Sequence, residues 1–219
     1  MKKIFALMLV ALLVTGCGPK PYWTLTDDKN QVVTSTSFEF SVADGWARTT
    51  EPRTWDRLEI DGEQRTILLE SMTVTRDGTS LHAITITRRY PDTAFPTIKK
   101  KSSAKMLAPE AADLYVSELR KRTGLERLTV VSNKPATVDG KQGFQLVMQY
   151  KNDDGLRIQF MTYGFVDKTG FYTITYRAPN LYYFDRDFKV FTKAVASFKQ
   201  LKGAFEPPPE IPGWAKMFT

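Results

Sequence analysis

The chain carries one cysteine, Cys17, and one histidine, His82, so covalent and acid–base centres have few places to form. His82 lies in a run predicted to be a strand, in alternation with Ile84 and Ile86. A catalytic base needs a nucleophile and an orienting group placed beside it, and no Gly-x-Ser-x-Gly elbow occurs to supply the nucleophile. A buried strand residue is therefore the expected role of His82, with a Ser-His-acid triad as the distant alternative. The adjacent carboxylates Asp27-Asp28 and Asp153-Asp154 point apart in a tether or turn, whereas two-carboxylate catalysis needs convergence on a substrate. Asn152-Asp153-Asp154-Gly155 lacks the spaced oxygens and closing Glu of a calcium loop. There is no Cys/His set for zinc, and neither a Walker A nor a dinucleotide fingerprint. No enzymatic activity and no cofactor are expected.

Two groups of residues are better suited to binding. Arg88, Arg89, Lys99, Lys100, Lys101 and Lys105 are the largest concentration of charge. Such a run is either a solvated loop or a contact for an anionic ligand such as a lipid headgroup, lipopolysaccharide or an acidic protein face. Phe171, Tyr172, Tyr176, Tyr182, Tyr183 and Phe184 crowd a second stretch, mostly as core under a helix. Tyr182 and Tyr183, which precede a Phe stripe, are the candidates for a partner groove. Trp214 and Phe218 stand in a tail with Pro207, Pro208 and Pro209, where they either fold back or dock on another protein.

Location is encoded at the N-terminus. Lys2 and Lys3 precede an apolar run from Ile4 to Val14, which is shorter than the roughly 20 residues of a spanning helix and has the length of a signal-peptide core. Val14-Thr15-Gly16-Cys17 follows. It resembles the bacterial lipobox, which implies cleavage between Gly16 and Cys17 and a covalent lipid on Cys17. Two or more acyl chains anchor a protein stably. Gly18, rather than Asp, after the cysteine resembles the outer-membrane sorting signal of Gram-negative lipoproteins. The periplasmic face of that membrane is the expected location, and it makes nucleic acid an unlikely partner. Removal of residues 1–16 takes away two of the lysines behind the +7 net charge and leaves a cationic chain without a disulfide, which must be stabilised by its core.

The elements that would position these residues are mostly strands. Residues 17–36 are polar and are expected to be a lipidated tether before a domain over 37–202 and a Pro-rich tail over 203–219. Phe38, Phe40 and Val42 alternate with polar residues up to an Asp44-Gly45 turn. A hairpin is expected around Asp61-Gly62, a turn at Asp77-Gly78 and a strand over about Ser80 to Tyr90. Pro109 and Glu110 open a helix through Leu114, Tyr115, Glu118 and Leu119, with Arg120, Lys121 and Arg122 at its end and Gly124 as the stop. A strand from Leu128 to Val138 and the runs Phe144–Tyr150, Leu156–Phe160 and Phe171–Ala178 form an antiparallel meander. Phe184, Phe188, Phe191, Val195 and Phe198 recur at offsets of 4, 3, 4 and 3, as on an amphipathic helix.

The expected class is α+β, a mostly antiparallel sheet flanked by helices. Phe38-Glu39-Phe40-Ser41-Val42 with Gly45-Trp46, Gly140 to Tyr150, Tyr172 to Tyr176 and the closing Phe191 to Phe198 segment resemble the PsbP-like fold over most of residues 37–200. That resemblance implies an α/β/α sandwich and a non-catalytic accessory module that binds a protein partner. The alternative is a binder of an anionic envelope ligand through the 99–105 loop.

Overall fold

The computed structural model describes residues 23–25, 32–35, 37–49, 53–60, 63–79, 81–90, 93–122, 125 and 127–201. In chain order the strands are β1 (Trp23–Leu25), β2 (Val32–Thr34), β3 (Phe38–Ser41), β4 (Ala47–Thr49), β5 (Arg53–Ile60), β6 (Glu63–Thr75) and β7 (Ala83–Arg89). Helix α1 (Ala108–Arg120) follows, then β8 (Thr129–Val138), β9 (Lys141–Lys151), β10 (Arg157–Asp167), β11 (Gly170–Pro179), helix α2 (Tyr183–Ser197) and β12 (Lys199–Gln200). Nine strands form one sheet in the order β1-β4-β6-β7-β11-β10-β9-β8, with β5 also pairing to β6, and β12-β3-β2 form a second sheet. The expected α+β class with a mostly antiparallel sheet is what the chain adopts.

The turn chemistry explains the register of the meander. Asp139 and Gly140 both have positive φ, 49° and 72°, as a two-residue hairpin turn requires, and they set Val138 opposite Lys141. At Gly143 and Gly164 the need is for space. A Cβ on Gly143 would lie 2.1 Å from the Gly164 carbonyl oxygen, and one on Gly164 would lie 2.4 Å from the Phe144 ring.

Alternation along the strands sends side chains to two cores. Phe144, Leu146, Met148 and Phe171 pack with Phe95, Ala112 and Leu119 on the α1 face. Ile84, Ile86, Phe165, Tyr172 and Tyr176 pack on the other face with Phe184 and Phe191 of α2 and with Val33, Phe38 and Phe40 of the small sheet. The Phe stripe does what its spacing predicts, and each fully buried ring contributes about 1.5–3 kcal/mol. Phe198 departs from the expectation. It caps α2 in extended backbone (φ −61°, ψ 134°) and rests on Phe38, Phe165 and Tyr172.

Two further expectations are corrected. The segment read as tether already contains β2, whose Val33 is fully buried and pairs with Phe40. The layer over that face is therefore helix α2 together with the three-stranded sheet. The strand expected from Ser80 begins at Ala83, and His82 lies just before it. Residues 61–62, Gly124, and most of the tether and tail lie outside the described residues.

Candidate functional site

At one end of the main sheet three neighbouring loops expose apolar side chains. Leu181 and Tyr182 are 78% and 68% exposed between β11 and α2, Leu156 is 40% exposed before β10, and Leu81 is 37% exposed before β7. The loops are tied together: the Asn180 amide donates to the Arg157 carbonyl at 2.9 Å, and Arg177 Nη1 donates to the Thr79 carbonyl at 3.2 Å. Tyr182 has φ 62° and ψ −61°, and the Tyr183 amide donates back to the Leu181 carbonyl at 2.7 Å. This is the γ-turn of the rare, positive-φ hand, which costs a non-glycine residue about 1–3 kcal/mol.

What holds the strained turn is a buried polar cluster under it. Arg186 lies over both rings, 5.5 Å from the Tyr182 centroid and 5.0 Å from that of Tyr183. Its Nε donates to Asp187 at 2.8 Å, and Nη2 reaches Asp77 in the β6–β7 turn at 2.5 Å. Asp187 Oδ2 lies 3.4 Å from His82 Nε2, which also accepts the Arg76 amide at 3.4 Å. The His82 ring has no exposed surface; it stands edge-on to Trp46 (5.1 Å) and stacks on Tyr183 (6.1 Å). Burial pushes its pKa below the ordinary histidine value, outweighing the opposing pull of Asp187. Hydrogen bonding to Arg186 lowers the Asp77 carboxyl and hydrogen bonding to Asp187 raises the Arg186 guanidinium. His82 thus has a carboxylate beside it, but at the same nitrogen that accepts the Arg76 amide, whereas a triad needs the carboxylate on the nitrogen opposite the nucleophile. The Thr75 hydroxyl beside it donates to its backbone carbonyl rather than to the ring, and no serine is among its described partners. In this arrangement His82 is a neutral wedge between two aromatic rings. Among the described residues no group of three or more His, Cys, Asp and Glu could hold a metal ion.

The expected basic cluster divides in two. Arg88 and Arg89, read as candidate anion contacts, are only 1% and 5% exposed. Arg88 lies directly across from Glu70 on β6, with Nη1 3.6 Å from Oε2, and donates to the Thr169 carbonyl. Ser35 and Ser37 hydroxyls and the Ser37 amide complete the hydrogen bonding of Glu70, which joins the small sheet to the large one. Arg89 covers the Phe95 ring at 4.4 Å. Both are interior groups because inward positions of β7 carry them. Lys99, Lys100, Lys101 and Lys105 are exposed.

The lysine loop is built as firmly as the tyrosine loop. Ala94 bridges Lys101, the Phe95 amide donates to the Lys100 carbonyl, and the Lys99 amide donates to the Phe95 carbonyl. Glu118 of α1 has no exposed surface, and its carboxylate accepts the Thr97 amide (3.1 Å), the Thr97 hydroxyl (3.0 Å) and the Ile98 amide (3.2 Å). Lys99 at the tip has φ 57°, the left-handed region.

Of the residues singled out in the sequence, the structure separates Tyr182 from Tyr183. The first projects outward, while the second turns in against His82 and accepts the Tyr176 hydroxyl on its carbonyl. Gly16, Cys17 and Trp214 lie outside the described residues. Sequence reasoning missed the organising carboxylates Glu70, Glu118 and Asp187. Each had a signal: Glu70 is in step with Met72 and Val74, Glu118 lies on the Leu114–Leu119 helical face, and Asp187 falls between Phe184 and Phe191 at offsets of 3 and 4. A carboxylate on an apolar face must find donors or lose its charge.

No family model matches the sequence, and no curated protein does. The structure is similar to the solution structure of cyanobacterial PsbP (CyanoP) from Synechocystis sp. PCC 6803, with 11% identity, TM-score 0.46, and coverage of 86% of this chain and 99% of that one. It is also similar to LpqN, involved in cell envelope biogenesis of Mycobacterium tuberculosis, with 10% identity, TM-score 0.37, and coverage of 81% and 88%. At these values the likeness is one of chain path, and the reading of function rests on the residues of this chain.

Proposed function

We propose that this chain is a non-catalytic envelope lipoprotein, an accessory module tethered by lipid on Cys17 to the periplasmic face of the outer membrane, that binds a protein partner through the Leu181–Tyr182 edge. The supporting observation is the pairing of exposure with strain. Two large apolar residues are held outward on a turn that costs free energy, and half-buried Arg186 with buried Asp187 and His82 fixes that turn from below. Strain of this kind persists where the surroundings over-determine it, and it collects at binding and switch sites. Tyrosine is also a side chain that interfaces favour, since it offers a large rigid contact with a polar tip.

The test is a photo-crosslinking amino acid placed at Tyr182 or, as a control, at exposed Lys134 on β8, in cells making the full chain. One envelope protein captured from Tyr182 alone is the expected result. Capture of nothing, or of the same proteins from both positions, contradicts the proposal. The tether is tested separately: Cys17→Ala should leave the domain folded but release it from the membrane fraction, and a variant still bound after a high-salt wash would remove the anchor from the reading.

A further inference from the structure

We infer that the Glu118-clamped lysine loop is a second interaction surface, a contact for anionic phospholipid headgroups that sets how the domain lies on the membrane. Lys99, Lys100 and Lys101 are consecutive and exposed, and among the described residues none of them, nor Lys105, has a carboxylate within ion-pairing distance. Among the described residues their charge is therefore uncompensated, unlike that of Arg88, Lys141 or Arg186. A solvated loop needs no support. This one is closed by two main-chain hydrogen bonds across Phe95 and is gripped at Thr97 and Ile98 by a fully buried carboxylate. The grip holds the ammonium groups on a fixed backbone and cuts the ordering cost of binding. Farther along the same segment, beyond Lys105 in the chain, the apolar side chain of Leu107 is 66% exposed. A segment that exposes both cations and an aliphatic residue matches the charge and the apolar boundary of an anionic lipid surface. A protein held near a membrane by its tether would meet that surface at high effective concentration.

The experiment uses the chain from Gly18 to Thr219, which keeps every described residue and carries no lipid. Its sedimentation is measured with vesicles of phosphatidylcholine alone and with an equal mixture of phosphatidylcholine and phosphatidylglycerol. Binding to the mixed vesicles only, weakened by salt, is expected. Each lysine near such a surface is worth roughly fivefold, so Lys99→Ala/Lys100→Ala/Lys101→Ala should weaken binding on the order of 100-fold. Glu118→Gln keeps every lysine and loosens the grip, and it should cost a smaller factor. Tyr182→Ala should bind the vesicles as the unaltered chain does, so failure here and failure of the partner reading are separable. Equal binding to both vesicle types, no binding to either, or a triple variant that binds like the unaltered chain would overturn the inference. A Glu118→Gln chain with undiminished binding would overturn the role of the clamp.

Discussion

The tyrosine loop and the lysine loop solve the same problem with different parts. Each displays a non-glycine residue at positive φ, Tyr182 at 62° and Lys99 at 57°, and each rests on a buried carboxylate. Glu118 grips main-chain amides directly, so the lysine loop hangs on one carboxylate and the backbone itself. Asp187 acts through Arg186 and His82, so the tyrosine loop hangs on side chains, one of them a histidine whose pKa burial holds below the ordinary value. Anchorage through amides fixes the main chain directly; anchorage through a histidine gives a support that acid can undo.

The largest expected effect is from Asp187→Ala. It takes from Arg186 one of its two carboxylate acceptors and removes the carboxylate beside His82, and breaking a buried pair from one side costs about 3–5 kcal/mol. That corresponds to a fall in midpoint of roughly 10 °C by thermal unfolding. A shift within error would mean that Asp187 does not support the turn. Glu118→Gln keeps the shape and one acceptor, and should cost about 1.5–3 kcal/mol, with faster amide exchange at Thr97 and Ile98 but not at Tyr183. Exchange accelerated equally in both loops would erase the distinction between them.

Acid should weaken the support of the tyrosine loop without any mutation. The folded state binds neutral His82, whose pKa lies below the ordinary 6.5, whereas the unfolded chain takes up a proton near that value. The contribution of His82 is therefore complete above about pH 6.5 and is lost as pH falls through the folded pKa. The groups facing the ring are Asp187, Arg186, Asp77 and Arg76. His82→Gln should flatten the stability profile between about pH 7 and pH 5, measured by denaturant midpoint. A slope that survives in His82→Gln would place the titrating group elsewhere. The smallest effect is a gain: Tyr182→Gly relieves the positive φ and should stabilise the fold by about 1 kcal/mol while losing the partner.

How much of this was legible follows from how local each signal is. The Asp139-Gly140 turn, the alternation of Phe144, Leu146 and Met148, and the Phe184–Phe191 stripe are decided within a few residues, and they placed the meander and α2 correctly. β2 was missed because three residues with one inward side chain, Val33, make no pattern; the grip of Glu70 on Ser35 and Ser37 comes from 33–35 residues away in sequence. Arg88 and Arg89 were read as surface charge because a run of basic residues looks solvated until Glu70 is set opposite Arg88 by the β6–β7 register. For the candidate site, Tyr182 and the lysines were visible as residue types. Their supports were not, because Asp187 and Glu118 gain meaning only from Arg186, His82, Thr97 and Ile98 folded against them.

The most direct measurement of the central claim is the dissociation constant of the protein captured at Tyr182, titrated against the unaltered chain, Tyr182→Ala, and Lys99→Ala/Lys100→Ala/Lys101→Ala. An exposed aromatic anchor truncated at the centre of an interface costs 2 kcal/mol or more, about thirtyfold. That loss is expected for Tyr182→Ala, with the lysine variant unchanged. Equal affinities for the unaltered chain and Tyr182→Ala would contradict the account.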